Sequence, residues 1–407
     1  MKLYQALTLF SATGALSAST IPHASNIEGV LRYTHQFAPF SGGYGKVPDP
    51  PGAAPRKQIL TSPSKIPGAQ RVKIRSGPYN VASMSKKSAS GHAGMLENYP
   101  DTAVDKPCEE CTLLWQQAGM EYPNGTVANV DTGMWLHHMV HFNKGPTRWD
   151  PTGKDRFCIP FLPVFLSPKT SERFYTAGNE RTLMDYNPQG KEGDLTTGSG
   201  YYLRKEDKFA FLVELMNMNM VDTVVYITMV YDFLPGPLPE GWTEAKTVWL
   251  DANQCGTSEV WPPQEKGTFT IDTQPWKPNF EGKLLWSIVH QHDGGMDVEV
   301  RNTNNTVCKG VAKYSETPAY IYRGSSMGGD KVAKDHISSM PGCGAEGSAG
   351  LEVKRDQVWS LKGKYDYDQR EGNLENGRQA EIMVLGLLLV SVPPGPLTPL
   401  ISKWTYS

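Results

Sequence analysis

The sequence has no block of like charge. Forty Lys and Arg stand against 42 Asp and Glu in 407 residues, a formal net charge of -2. That leaves nucleic acid and anionic membranes without an electrostatic footprint to bind. Long apolar runs are missing as well. Residues 3–15 and 385–392 are strongly apolar, but both fall short of the roughly 20 residues that cross a bilayer, so no membrane span is expected. Helical periodicity is weak and no internal repeat is evident, which excludes helical bundles and solenoids. Cysteine is scarce, at six. The one CxxC, Cys108-Glu-Glu-Cys111, has neither a second CxxC nor an adjacent histidine, so it is read as two cysteines pairing with distant partners rather than as a zinc or redox motif. Histidine is scarce too, at nine, which makes any clustering informative.

Turn formers are plentiful, with 40 Gly and 31 Pro. Short β-branched and aromatic runs alternate with them, for example residues 134–142, 209–216, 221–233, 284–291 and 381–392. The pattern predicts an all-β protein. Met1-Lys2, the apolar residues 3–15 and the small residues ending at Ala18 form a secretory signal peptide, so the chain is expected to be secreted and extracellular. An even number of cysteines suits disulfides in that compartment. Asn124 and Asn304 head N-x-Thr glycosylation acceptors. Residues 19–69 are a Pro/Gly-rich N-terminal arm, and the Pro-Gly stretch at 235–241 is the best domain boundary. The expected organisation is a signal peptide (1–18), the arm (19–69), a first β-sandwich domain (70–236), a second (237–395) and a tail (396–407). These are two tandem antiparallel, jelly-roll-like β-sandwich domains.

Five of the nine histidines fall in two clusters. His290 and His292 end an apolar strand just before the turn Asp293-Gly294-Gly295. Side chains two apart on a strand share a face, so both imidazoles can close on one transition metal at the mouth of a hairpin. His137, His138 and His141 lie in the strand MWLHHMVHF. Adjacent strand residues point to opposite faces, so His137 and His138 can share an ion only if the strand twists or bulges there; His137 with His141 is the alternative. Methionines Met216, Met218 and Met220 cluster near one strand end, and Met383 lies in the last apolar strand. Imidazole with thioether is a soft donor set that suits copper, and Cu(I) especially.

These residues resemble the two-domain, ascorbate-dependent copper type II monooxygenases, peptidylglycine α-hydroxylating monooxygenase and dopamine β-monooxygenase. They are more similar still to the stress-up-regulated nodulin family of plants and its fungal relatives. The resemblance rests on His137-His138-Met139, on VHQHDGG with His290 and His292, and on the stretch at 378–385 with Met383. It implies an oxygen-activating copper at His290, His292 and Met383, treated as the catalytic set. It also implies an electron-transfer copper at His137 and His138, across a solvent-filled cleft between the domains, so two copper ions are expected. A Cys308–Cys343 disulfide is implied too. The family's third histidine of the first site belongs in the strand 209–216, where there is none; either Met216, Met218 or His141 substitutes, or the first site is incomplete. The polar residues that hold a peptide carboxylate in the amidating enzymes have no counterparts, since Leu385 and Leu387 follow Met383. An amidated-peptide precursor is therefore not the expected substrate.

Three functions are compatible with these residues. The first is a copper-dependent monooxygenase hydroxylating a C–H bond of a small-molecule or polymer substrate with an external reductant. The second is a copper-binding or copper-delivery protein without turnover. The third is a β-sandwich adhesion or carbohydrate-binding module. His23, His35 and His92 are read as carrying no chemistry, His336 as a loop histidine, Tyr365 and Tyr367 as strand packing, and Asp366, Asp368 and Glu371 as a solvated turn.

Overall fold

The computed structural model describes residues 44–88, 91–153, 169–188, 198–252, 258–324, 332–344 and 350–393. The signal peptide, residues 19–43 of the arm, the apolar run 157–166, Cys158, Cys255 and the tail lie outside the described residues. In chain order the strands are β1 (Gly45–Lys46), β2 (Lys57–Leu60), β3 (Gln70–Val81), β4 (Met95–Val104), β5 (Cys111–Glu121), β6 (Met134–Lys144), β7 (Ser171–Gly178) and β8 (Met184–Asp185). Next come β9 (Ser199–Leu203), β10 (Lys208–Asn217), β11 (Thr223–Pro235), β12 (Thr243–Asp251), β13 (Glu259–Val260), β14 (Thr268–Asp272), β15 (Gly282–Gln291) and β16 (Gly295–Asn302). The last are β17 (Asn305–Val311), β18 (Lys313–Tyr314), β19 (Ile337–Ser339), β20 (Glu352–Val353), β21 (Trp359–Asp366), β22 (Leu374–Glu375), β23 (Arg378–Gln379) and β24 (Ile382–Val392). Among the described residues there is no α-helix, and none is long and apolar enough to cross a membrane. The expected all-β class, with antiparallel sheets in sandwich layers, is what the chain adopts.

One long sheet runs β1-β3-β11-β5-β9-β12-β24-β15-β20. Its pairings are antiparallel except β9 with β12, which run parallel and join the strands before and after the Pro-Gly stretch. The sheet β4-β10-β6-β7 contributes to one core, with Leu136, Phe211, Leu215, Ile227 and Met229 fully or almost fully buried. The sheet β14-β21-β16-β17 contributes to a second, with Val298, Leu361, Val384 and Leu388 buried. The closing strand β24 faces both. Leu385, Leu387 and Leu389 enter the first core, while Val384, Leu388 and Val390 enter the second. A strand buried on both faces has no polar side to present, which is why its sequence is continuously apolar rather than alternating.

Two expectations need correcting. Cys108 and Cys111 are bonded to each other, not to distant partners. The chain leaves that CxxC directly into β5, where Cys111 is fully buried, so a short local loop is what the bond closes. The arm also does more than connect: Gly45–Lys46 and Lys57–Leu60 pair with β3 as added strands. Cys308 and Cys343 are joined, as the resemblance implied. Asn124 and Asn304 are exposed, the latter in the turn between β16 and β17.

Candidate metal centre

The first histidine pair owes its geometry to a bulge. In the β10–β6 ladder Glu214 pairs with His138 and Leu215 with Leu136, so His137 is an extra residue on β6. A bulge shifts the side-chain alternation by one. Before it, Leu136 points into the core and Trp135 and His137 away from it. After it, Met139 points inward and His138 away. Both imidazoles therefore reach the same side. The same shift sends His141 inward, into a cage of Phe174, Phe209 and Phe211 with ring centroids 4.3–4.7 Å away. Burial holds its imidazolium well below the usual histidine range. His141 is thus not brought to the cluster.

Glu214 occupies the strand where the resemblance calls for a third histidine. Its carboxylate lies 3.0 Å from His137 Nδ1 and 3.4 Å from His138 Nε2. Glu259, on β13, lies 3.7 Å from His138 Nε2. One ligand atom from each of His137, His138, Glu214 and Glu259 falls within 4.8 Å of all the others. Burial pushes the Glu214 carboxyl up. Burial acts on Glu259 too, but the hydrogen bond and charge of His138, with the fields of His292 and His137, outweigh it and hold Glu259 down. Neither glutamate was singled out from sequence. Glu214 left a signal, as an acidic residue inside the apolar strand FLVELM, where a buried carboxylate needs a partner. Glu259 left none.

The second pair sits at the hairpin mouth as expected. His290 Nδ1 donates to Glu180 Oε1 at 2.8 Å, and His292 Nδ1 donates to the Glu381 carbonyl at 2.9 Å. Each ring thereby has its tautomer fixed and its Nε2 left for a ligand, and neither Nε2 has a hydrogen-bond partner. Met383 pairs with Glu259 across β13–β24, and Leu385 pairs with His290 across β24–β15. Met383 shares a face with Leu385, so the register puts it on the sheet face that carries His290 and Glu259. The Tyr365 hydroxyl links the hairpin to this strand. It accepts from the His292 N–H at 3.2 Å and donates to the Met383 carbonyl at 2.7 Å. Tyr365 thus does more than pack.

The histidine clusters do not face each other over a solvent gap. The His137 and His292 ring centroids are 4.6 Å apart, and those of His138 and His292 6.5 Å. A cavity of about 50 Å³ opens beside them, lined by His137, His292, Glu214, Glu259, Met216 and Glu381 among others.

His92, read as inert, belongs to the same cavity wall. It lies 2.6 Å from Glu97 and 3.1 Å from Glu375. Burial works against its charge, but Glu375 and Glu97 prevail and raise its pKa to about 11. The imidazolium ties the β22–β23 hairpin to β4. His336 does lie in a loop, just before β19, but not in solvent. It is fully buried, 2.7 Å from Asp293, with its ring against Trp135. Asp366 does hold a local turn, accepting from the backbone of Asp368 and Gln369.

The donor set fits a first-row transition ion. Four buried or half-buried imidazoles and two carboxylates lie close together, with unpartnered nitrogens on His138, His290 and His292, and Met383 is on the neighbouring strand.

No protein-family model matches the sequence. Two curated proteins do. The chain is 30% identical over 308 residues to "Probable copper-dependent oxygenase M1" of Phoma sp., covering 75% of this chain and 69% of that one. It is 30% identical over 278 residues to "Probable copper-dependent oxygenase clz3" of Cochliobolus lunatus, covering 68% and 78%. Among solved structures, a chain of PNGF-II matches with a TM-score of 0.33 and 9% identity over 83% of this chain and 65% of that one, a likeness too remote to bear on fold or function.

Proposed function

The chain belongs to the same family as these probable copper-dependent oxygenases, and on that footing we propose that it is a secreted copper-dependent monooxygenase acting on a C–H bond. His290, His292 and Met383 would hold the oxygen-activating copper, and His137 and His138 would complete the metal-binding machinery. The observation that carries the reading is the convergence of imidazoles with ligand nitrogens unpartnered and, on His290 and His292, the opposite nitrogens held by oxygen acceptors. Copper, when bound, supplies one-electron redox chemistry and an open position for dioxygen.

The protein's own groups do the rest. Glu180 and the Glu381 carbonyl fix the ring orientations of His290 and His292. Glu214, whose burial favours the protonated form, holds a proton within reach of His137. A cavity of about 50 Å³ has room for only a few water-sized molecules. That supports a substrate that brings one small group or chain end to the centre, reduced by an external donor. The resemblance to the ascorbate-dependent monooxygenases and the nodulin family supports the same chemistry.

Glu214 in place of a third histidine favours a second reading, copper capture or delivery without turnover. Oxygen uptake decides between them. Copper-loaded protein should consume dioxygen with ascorbate, and His290→Ala should abolish the uptake and lower the bound copper. Copper binding without dioxygen consumption would favour delivery. Unchanged copper content in His290→Ala would remove His290 from the site.

A further inference from the structure

Glu259 stands where the two histidine pairs meet. Its strand is hydrogen-bonded to β24 at Met383, beside the His290–His292 hairpin. Its carboxylate nevertheless reaches His138 on β6. Glu214 closes the opposite side, against His137 and His138. Carboxylates gathered in this way are not a site by themselves. What points to cations is the nitrogen inventory: Nδ1 of His138, and the Nε2 atoms of His290 and His292, are buried with no hydrogen-bond partner, while His138 Nε2 faces both carboxylates. The rings concerned lie close together, with centroids 5.5 Å apart for His290 and His292 and 5.2 Å for His137 and His138. His137 and His292 are closer still, at 4.6 Å.

We propose that the four imidazoles build one dinuclear centre rather than two isolated sites, with Glu214 a ligand on the His137–His138 side and Glu259 shared by both ions. The proposal rests on the copper reading above. A carboxylate has two oxygens and about four lone-pair sites, so one side chain can serve two ions. Charge favours the arrangement. Two Cu(I) ions carry two positive charges and the two glutamates two negative ones, so the reduced centre is neutral where burial would penalise a net charge.

The test uses full-length protein loaded with Cu(II), its copper counted per chain and its electron paramagnetic resonance spectrum recorded. The expected result is two coppers per chain, a half-field line from interacting spins and a spin integral below the copper content. Glu259→Gln keeps the shape but removes the shared anion, and should abolish the half-field line while copper remains bound. Two coppers with full spin intensity and no half-field line would overturn the proposal. So would a single bound copper, or a Glu259→Gln spectrum identical to the unmodified protein's. The oxygenase reading fails separately: a protein that shows the half-field line but takes up no dioxygen with ascorbate keeps the centre and loses the activity. Protein that binds no copper defeats both.

Discussion

Gly178 makes room for the ring of His290. A Cβ built on Gly178 would lie 2.4 Å from His290 Cε1 and 2.9 Å from its Nδ1. Gly178 pairs with His138 in the β6–β7 ladder, so the strand beside the first histidine pair is hollowed out to admit a member of the second. The two pairs are one construction. Gly178→Ala should displace the His290 ring and lower copper affinity by about 10–100-fold, the range for disturbed support around a metal ligand. Competitive titration against a copper chelator reads this directly; an unchanged affinity would mean that His290 is not a ligand.

Glu180 should matter through His290 rather than through the fold. The 2.8 Å hydrogen bond to Nδ1 leaves Nε2 as the ligand atom. Glu180→Gln can still accept through its amide oxygen but loses the charge, so copper affinity should fall by roughly 10-fold with the thermal midpoint of the metal-free protein little changed. Glu180→Leu, which removes the acceptor, should cost more. Equal affinities for the two variants would show that orientation of His290 is set elsewhere.

Tyr365→Phe tests the tie between hairpin and closing strand. Removing the hydroxyl leaves the His292 N–H and the Met383 carbonyl without the bonds they make to it, in a buried setting. The cost should be about 2 kcal/mol in denaturant unfolding. Copper retention should weaken alongside, because both residues lie at the proposed site. A loss of stability with copper binding intact would separate Met383 from the centre.

Asp150 sets an acid limit on stability. It is buried and bonded to Arg173 at 2.8 Å and to the backbone N–H groups of Thr152 and Gly153 at 3.0 and 2.8 Å. Burial alone would raise its pKa, but Arg173 and these N–H donors outweigh it and hold the value below the ordinary 3.8. A carboxyl with a depressed folded-state pKa contributes stability that is complete above the unfolded-state pKa and is lost as pH falls through the folded one. The urea midpoint should therefore drop as pH falls below about 4, the unfolded range for Asp. Asp150→Asn, which removes the closer of Arg173's two carboxylate partners and leaves Asp251 at 3.9 Å, should cost about 3 kcal/mol at pH 7 and remove this residue's part of the acid slope. A slope unchanged in the variant would assign the acid limit to other carboxylates.

Local pattern alone determined a good deal here. Alternating apolar runs between Gly- and Pro-rich turns dictate strands whatever the partner strand, and His290-x-His292 before Asp-Gly-Gly must sit at a hairpin mouth with both rings on one face. The apolar run of β24 had to be buried on both sides. Pairing decided the rest. Whether His137 and His138 point the same way depends on one inserted residue in the β6–β10 ladder, and that insertion also turned His141 into the core. Glu214 and Glu259 are 45 positions apart and become neighbours only when β10 and β13 are placed in different sheets against the same histidines. His92 likewise gains its role only when β22 brings Glu375 to it. Alternation and turn chemistry are properties of neighbours along the chain. Bulges, ion partners and the meeting of two imidazole pairs are properties of strands that find each other from afar, which no local pattern records.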